Sequence, residues 1–321
     1  MNLNKKSFKK IKGDASFRLF FRIKNKSKKT ILVYAKKEKK KNLLIYDCIN
    51  KIFIKNKILA PKLYSHNYKK NYIEIEDFGK ETIFKILKNK KTNKNKLFKK
   101  IILTLVKIQK IKNKKFKNFQ NKNYKIPTYD KKKLFEESDL FCKWYVPKVI
   151  AKNKIFFLNT KIRKKLKFLI SKIKQKNNVF VHRDFHVSNL MKYKKKIAVL
   201  DNQDALIGNR AYDLASLIDD VRFKSSNKLK NKIYEEYLKI NSTNINKFLF
   251  KNDFEILSIL RNLKIIGIFT RLATRDKKKK YLKLIPYAWE LIELRLHNNS
   301  LFIELKKLLD VNFSKKTRIK K

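Results

Sequence analysis

The chain is poor in the residues that punctuate and cross-link proteins. Its 321 residues include four glycines, four prolines, four histidines and two cysteines. Cys48 and Cys142 are too few for a disulfide scaffold or a four-cysteine zinc site. No apolar run approaches the ~18 residues of a membrane helix. Residues 1–14 are polar and lack the apolar stretch of a secretory signal, so a cytoplasmic protein without a membrane partner is expected. Acids are scarce as well: 26 Asp plus Glu face 85 Lys plus Arg, a formal charge of +59. An apolar fraction of 43% still excludes a disordered chain.

So basic a chain raises the question of nucleic acid. Only eleven of the 85 basic residues are arginine, the side chain suited to bidentate recognition of bases and phosphates. Lysine is spread along the whole sequence beside abundant Asn, Ile, Phe and Tyr, the bias of an AT-rich genome. No zinc-finger spacing or aromatic RNA-binding signature accompanies it. No specific nucleic-acid partner is expected, only weak adsorption to polyanions at low salt.

Each glycine stands against that bias. Gly13, Gly79 and Gly208 flank acidic residues in expected turns, and Gly267 sits in a late apolar helix. Strands are expected over 16–24, 30–35, 62–66 and 72–76, with one helix over 41–57 stopped by Pro61. Helices are expected over 81–89, 95–112, 131–143, 160–175, 211–222, 227–240, 251–273, 279–296 and 300–310. The stretch 113–129 reads as a polar connection and 315–321 as a frayed tail. Short apolar strands at 179–181 and 197–200 bracket polar turns. Sheet first and helices after is an α+β order. The expectation is a small antiparallel lobe over 1–79 and a larger, mainly helical lobe over 80–321.

The chemistry concentrates in Val181-His182-Arg183-Asp184-Phe185-His186-Val187-Ser188-Asn189. His-Arg-Asp with Asn five residues after the Asp has the spacing of a kinase catalytic loop. There the Asp orients or takes the acceptor hydroxyl proton and the Asn holds magnesium. Asp201 ends the apolar strand that follows. A hairpin with Asn189 at one strand's start and Asp201 at the next strand's end presents both oxygens to one hard cation. Asp77-Phe78-Gly79 spells the kinase magnesium triplet, but it precedes the loop by about a hundred residues, whereas the true triplet follows it. After the strand 72–76, Glu76, Asp77 and Phe78 suit an adenine-contacting hinge that works through backbone groups.

Four features separate this pattern from protein kinases. His186 stands two residues after Asp184, the metal turn reads Asp201-Asn202-Gln203-Asp204, no Ala-Pro-Glu follows, and Tyr212-Asp213-Leu214-Ala215 opens a helix. On these residues the chain resembles the aminoglycoside phosphotransferase and choline kinase-like family, with its bilobal protein-kinase-like fold. Gly13-Asp14-Ala15-Ser16-Phe17-Arg18, Asp201 to Leu206 and Arg261 to Leu272 are similar to one subgroup, the bacterial sugar kinases of cell-wall recycling. Those enzymes phosphorylate the anomeric hydroxyl of N-acetylmuramate and N-acetylglucosamine. The resemblance spans residues 10 to 296.

The resemblance implies ATP as phosphate donor, Mg2+ as cofactor and Asp184 as catalytic base. Asn189 and Asp201 would hold the metal, with Asp204 helping. His182 and Asp213 would brace the loop, beside His186, and Gly13, Asp14, Ala15 and Ser16 would cover the phosphates. Acceptor candidates are Glu136, Glu137, Trp144, Tyr145 and Arg271. The chain departs from the pattern at Asn202, where the subgroup has an aromatic residue. No phosphate-binding lysine stands out, Lys36 and Lys37 being two among many, and Asp47 is the only acid on the first helix. A monomer is expected. Rival readings are a choline, amino-alcohol or aminoglycoside kinase, and an inactive kinase fold that binds a partner such as RNA.

Overall fold

The computed structural model describes residues 8–11, 18–24, 29–35, 41–113, 115–241, 245–297 and 299–319. Gly13 to Ser16, Lys36 and Lys37 lie outside the described residues. Along the chain the elements are β1 (Phe8–Ile11), β2 (Leu19–Lys24), β3 (Lys29–Tyr34), α1 (Lys41–Lys55), β4 (Leu63–Asn67) and β5 (Tyr72–Glu76). Then come α2 (Ile83–Lys88), α3 (Lys94–Gln109), β6 (Lys115–Lys117), β7 (Asn123–Lys125), α4 (Lys131–Ser138), a π-helical turn (Phe141–Tyr145), α5 (Val146–Val149) and α6 (Lys152–Ser171). β8 (Val179–Val181), β9 (Leu190–Tyr193), β10 (Lys196–Val199) and β11 (Leu206–Gly208) lead to α7 (Ala211–Ile218) and α8 (Asn227–Ile240). The chain ends in α9 (Lys247–Thr274), α10 (Ile285–Leu296), α11 (Ile303–Asn312) and α12 (Lys315–Ile319). This is the expected α+β order.

Contacts divide the chain into two compact units, residues 1–127 with 182–206, and 128–181 with 207–321. That partition differs from the expected division after residue 79.

The first unit is built on a five-stranded antiparallel sheet in the order β1-β2-β3-β5-β4. β3 is its centre. Its buried Ile31 and Val33 alternate with half-buried Leu32 and Tyr34, and it pairs with β5 from Thr30↔Glu76 to Tyr34↔Tyr72. Leu43 and Tyr46 of α1 close this core together with Ile73 and Ile75. α1 ends before the expected Pro61. Lys57 takes a left-handed φ of 58°, and the Ile58 N–H returns to the Phe53 carbonyl, a Schellman ending. β9 and β10 form the expected hairpin, Leu190↔Val199 to Tyr193↔Lys196. It is anchored by the Val199 N–H donating to the Leu59 carbonyl (2.8 Å).

The second unit is mostly helical, around the long α9. Gly267 lies where α9 meets the π-helical turn. A Cβ there would stand 2.3 Å from the Leu140 carbonyl carbon, so only glycine permits the approach. Gly208, expected in a turn, is instead buried in β11. The stretch expected as one helix over 279–296 begins as a 3-10 segment (Lys279–Leu284) and becomes α-helical at Ile285, with Pro286 in the first turn. No described helix is long and apolar enough to cross a membrane.

Candidate active site

The loop leaving β8 is shaped from within. His182 is fully buried, and its Nε2 lies 3.0 Å from the Leu200 carbonyl and 2.8 Å from Asn202 Oδ1. Both partners are acceptors, so Nε2 carries the proton. Asn202 in turn donates through Nδ2 to Asn50 Oδ1 (2.7 Å) and the Val199 carbonyl (3.2 Å). A buried polar chain thus runs from α1 through the metal turn to the loop. It explains the departure at Asn202: a side-chain amide replaces ring packing with hydrogen bonds, and Asn50 is its partner.

Asp184 is half-buried, and its carbonyl accepts from the His186 N–H (3.0 Å) and from Asn189 Nδ2 (3.1 Å). That bond points the Asn189 nitrogen into the loop and turns Oδ1 the other way. The buried His186 ring lies beside the same amide, Nε2 to Nδ2 3.4 Å. Across the hairpin, the Leu200 N–H donates to the Asn189 carbonyl (2.9 Å), which sets Asn189 one residue from being opposite Asp201. Asp201 itself is left-handed at φ 63°, and Arg183 at φ 74°. Strained non-glycine backbone at two points of one loop system marks a place where geometry is held against cost.

Gln203 ties the two carboxylates of the turn together. Its Nε2 donates to Asp201 Oδ1 (3.2 Å) and to Asp204 Oδ2 (2.8 Å), while its Oε1 accepts from Arg18 (2.8 Å). Arg18 also pairs with Asp201 Oδ1 at 2.6 Å. Arg183 donates to the Asp204 carbonyl (3.2 Å). Among the described residues no cluster of three or more His, Cys, Asp or Glu could hold a metal ion. Two carboxylates and an amide oxygen are nonetheless a hard oxygen set, and Mg2+ takes one or two carboxylates and completes its shell with phosphate and water. The residues therefore fit an ion that arrives with a phosphorylated substrate rather than one resident in a protein cage.

Asp77 is no metal ligand here. Its carboxylate pairs with Arg22 of β2 (Nε 2.5 Å, Nη2 2.9 Å) and accepts from the Gly79 N–H (2.8 Å). Gly79 needs its glycine, φ being 88°. Phe78 packs its ring on Met191 and Ala198 of the hairpin. Glu76 ends β5.

In the second unit, Asp213 is buried in the first turn of α7. Glu137 is bound by Lys264 (2.7 Å) and by the Tyr129 hydroxyl. Glu136 is exposed and Trp144 half-buried. Tyr145, expected at the acceptor, belongs to the core: its ring is buried against Phe141, Trp289 and Phe313, and Trp289 Nε1 donates to its hydroxyl. Arg271 Nε is buried and has no hydrogen-bond partner among the described residues. Burial, and then neighbouring Arg275, lower its affinity for its proton.

Motif spacing assigns no role to three residues of the first unit that bond the loop and its turn: Arg18, Gln203 and Asn50. Arg18 and Gln203 sit inside the quoted motifs, so their position was visible. Their partners are far apart in sequence, and no spacing rule links them.

A sheet with one helix on it, joined in one unit to a His-Arg-Asp loop and an acidic hairpin turn, defines a kinase-like phosphotransferase fold. The chain belongs to the phosphotransferase enzyme family, whose model matches residues 7–243. It is 27% identical over 281 residues to the N-acetylmuramate/N-acetylglucosamine kinase of Neisseria meningitidis serogroup B, covering 85% of this chain and 81% of that one. To the protein of the same name from Pseudomonas aeruginosa it is 26% identical over 311 residues, 92% and 86% of the two chains. Among solved structures, the ADP-bound aminoglycoside phosphotransferase APH(2'')-Ib superposes with a TM-score of 0.62 at 12% identity, covering 94% and 96%. That likeness supports the fold.

Proposed function

We propose that the protein is a cytoplasmic, monomeric kinase that transfers the γ-phosphate of ATP to the anomeric hydroxyl of N-acetylmuramate or N-acetylglucosamine. The observation that carries this is that Asp184, Asn189 and Asp201 lie in one compact unit, with Asn189 Nδ2 bonded to the Asp184 carbonyl and Leu200, the residue before Asp201, bonded to the Asn189 carbonyl. The names and near full-length coverage of the two relatives favour the amino-sugar acceptor over choline or an aminoglycoside.

Phosphoryl transfer asks the protein for positioning and charge neutralisation. Asp184 orients the acceptor hydroxyl and receives its proton. His182, donating to Leu200 and Asn202, and His186, beside the Asn189 amide, keep the loop in register. Asn189, Asp201 and Asp204 would hold Mg2+, which when bound neutralises charge on the transferred group. Gly13, Asp14, Ala15 and Ser16 would cover the phosphates through backbone N–H groups. Glu76, Asp77 and Phe78 would meet the adenine. In this reading residues 1–79 serve the nucleotide, and 80–321 carry the loop, the metal turn and the acceptor pocket. There Glu136, Glu137 and Trp144 contact the sugar, and Arg271 suits the lactyl carboxylate of a muramate.

The test is phosphate transfer from ATP to a panel of N-acetylmuramate, N-acetylglucosamine, choline and an aminoglycoside. Turnover of the amino sugars, reduced by about 10²–10⁴ in Asp184→Asn, is the expected result. Turnover of choline alone, or full activity in Asp184→Asn, would overturn it.

A further inference from the structure

A kinase needs a cation on the phosphates of its nucleotide, and in kinases a strand lysine beside the helix supplies it. β3 carries a single lysine, Lys29, which is exposed at the strand's first position opposite Lys24. The acid of α1 that would steady such a lysine, Asp47, is buried and paired with Lys51 of its own helix at 2.8 Å. Tyr46, the residue before Asp47, sets its ring 5.8 Å from the Arg18 guanidinium. Burial pushes the Tyr46 phenol up to about 12, so it stays neutral.

Arg18 is another cation of the first unit, beside the Asp201 turn. It is the residue before β2 and immediately follows the glycine-containing stretch Gly13 to Phe17. Its side chain is only 4% exposed, yet the Asp201 carboxylate that it holds is 36% exposed. The guanidinium is bound by Asp201 and Gln203 and flanked by the rings of Phe20 and Tyr46, each 5.8 Å from its centre. It is thus a desolvated, pre-oriented cation whose anionic partner opens to solvent. Guanidinium is better suited than ammonium to oxygens presented in pairs, as on a polyphosphate.

We propose, resting on the kinase reading above, that Arg18 is the phosphate-contacting cation of the nucleotide site. It is supplied by the start of β2 in place of a β3 lysine. In this structure Arg18 is the counter-ion of Asp201. When Asp201 takes a divalent cation, Arg18 gives up that oxygen and turns its N–H groups to the phosphates. The pair is therefore an exchange: the carboxylate passes from one cation to another, and Arg18 passes from one anion to another.

Calorimetric titration of the full chain with ATP, ADP and adenosine, with Mg2+ and in excess chelator, separates the possibilities. For Arg18→Met, ATP affinity is expected to fall tenfold or more while adenosine affinity stays within twofold, which also reports an intact fold. Arg18→Lys is expected to recover part of the loss. Asp201→Asn in chelator is expected to bind ATP at least as tightly as the unaltered protein, because Arg18 is released and a repelling carboxylate is gone. An unchanged ATP-to-adenosine ratio in Arg18→Met, or weakened metal-free ATP binding in Asp201→Asn, would overturn the role of Arg18 and leave the kinase reading standing. Failure of the unaltered protein to bind any nucleotide would overturn both.

Discussion

Asp219 and Asp201 each hold an arginine, and they do so to opposite ends. Asp219, after α7, is fully buried and saturated. Arg295 grips it through two nitrogens (2.8 and 2.9 Å), Lys230 through a third (3.0 Å), and the Ser258 hydroxyl donates at 2.6 Å. Burial alone would raise its carboxyl, but Arg295 and Lys230 override that and bring it down to about 2. Asp201 has one arginine and one amide, a strained backbone and an open side. A carboxylate with every lone pair taken belongs to the architecture. One left partly open, on backbone that costs energy to hold, is available for chemistry.

The comparison breaks most visibly on substitution. Asp201→Asn should lower turnover by about 10³-fold or more, in the range of transition-state charge stabilisation, while costing little in urea denaturation, because asparagine keeps an oxygen for Arg18 beside that of Gln203. Asp219→Ala should do the reverse. It strands two buried cations and should cost about 3–5 kcal/mol of stability, read from the same denaturation curve. If Asp201 proves the more stabilising of the two, the distinction fails.

A smaller effect is expected from the polar chain behind the site. Asn50→Ala, Asn202→Ala and the double variant should show a coupling of about 0.5–3 kcal/mol in a denaturation cycle, since the two side chains bond directly. Additive losses would remove the chain as a unit.

The pH dependence sharpens the contrast further. Asp219 has its folded pKa below the unfolded one, so its contribution is present above pH 4 and is lost as pH falls toward 2. About 2 kcal/mol should disappear across that window, and Asp219→Asn should lack the corresponding slope. The smallest effect is on selectivity. Arg271→Met should raise the KM for N-acetylmuramate by about threefold to tenfold over that for N-acetylglucosamine, the worth of one partly solvated ionic contact.

Much of the catalytic region was legible because short apolar strands must bracket its polar loop, and the hairpin over 190–199 follows from that alone. Elements with little apolar content were not legible. Among the described residues β1 (Phe-Lys-Lys-Ile) is an edge strand paired only with β2, and β6 and β7 offer one aromatic residue each among lysines and asparagines. Nothing in their sequence alternates strongly enough to declare a strand. The tail expected to fray is instead helical over Lys315–Ile319, because Arg318 reaches Glu293 and Asp310 (2.6 and 2.8 Å). Arg18 was missed for the same reason. Its meaning lies in a partner 183 residues away.

The most direct measurement is the position of a Mn2+ ion, located by anomalous scattering in crystals grown with a non-hydrolysable ATP analogue. The expected ion is bound by Asp201 and Asn189 and by phosphate oxygens, with Asp184 beside the terminal phosphate. An ion and triphosphate found away from these three side chains would contradict the assignment of this region as the place where phosphate is transferred.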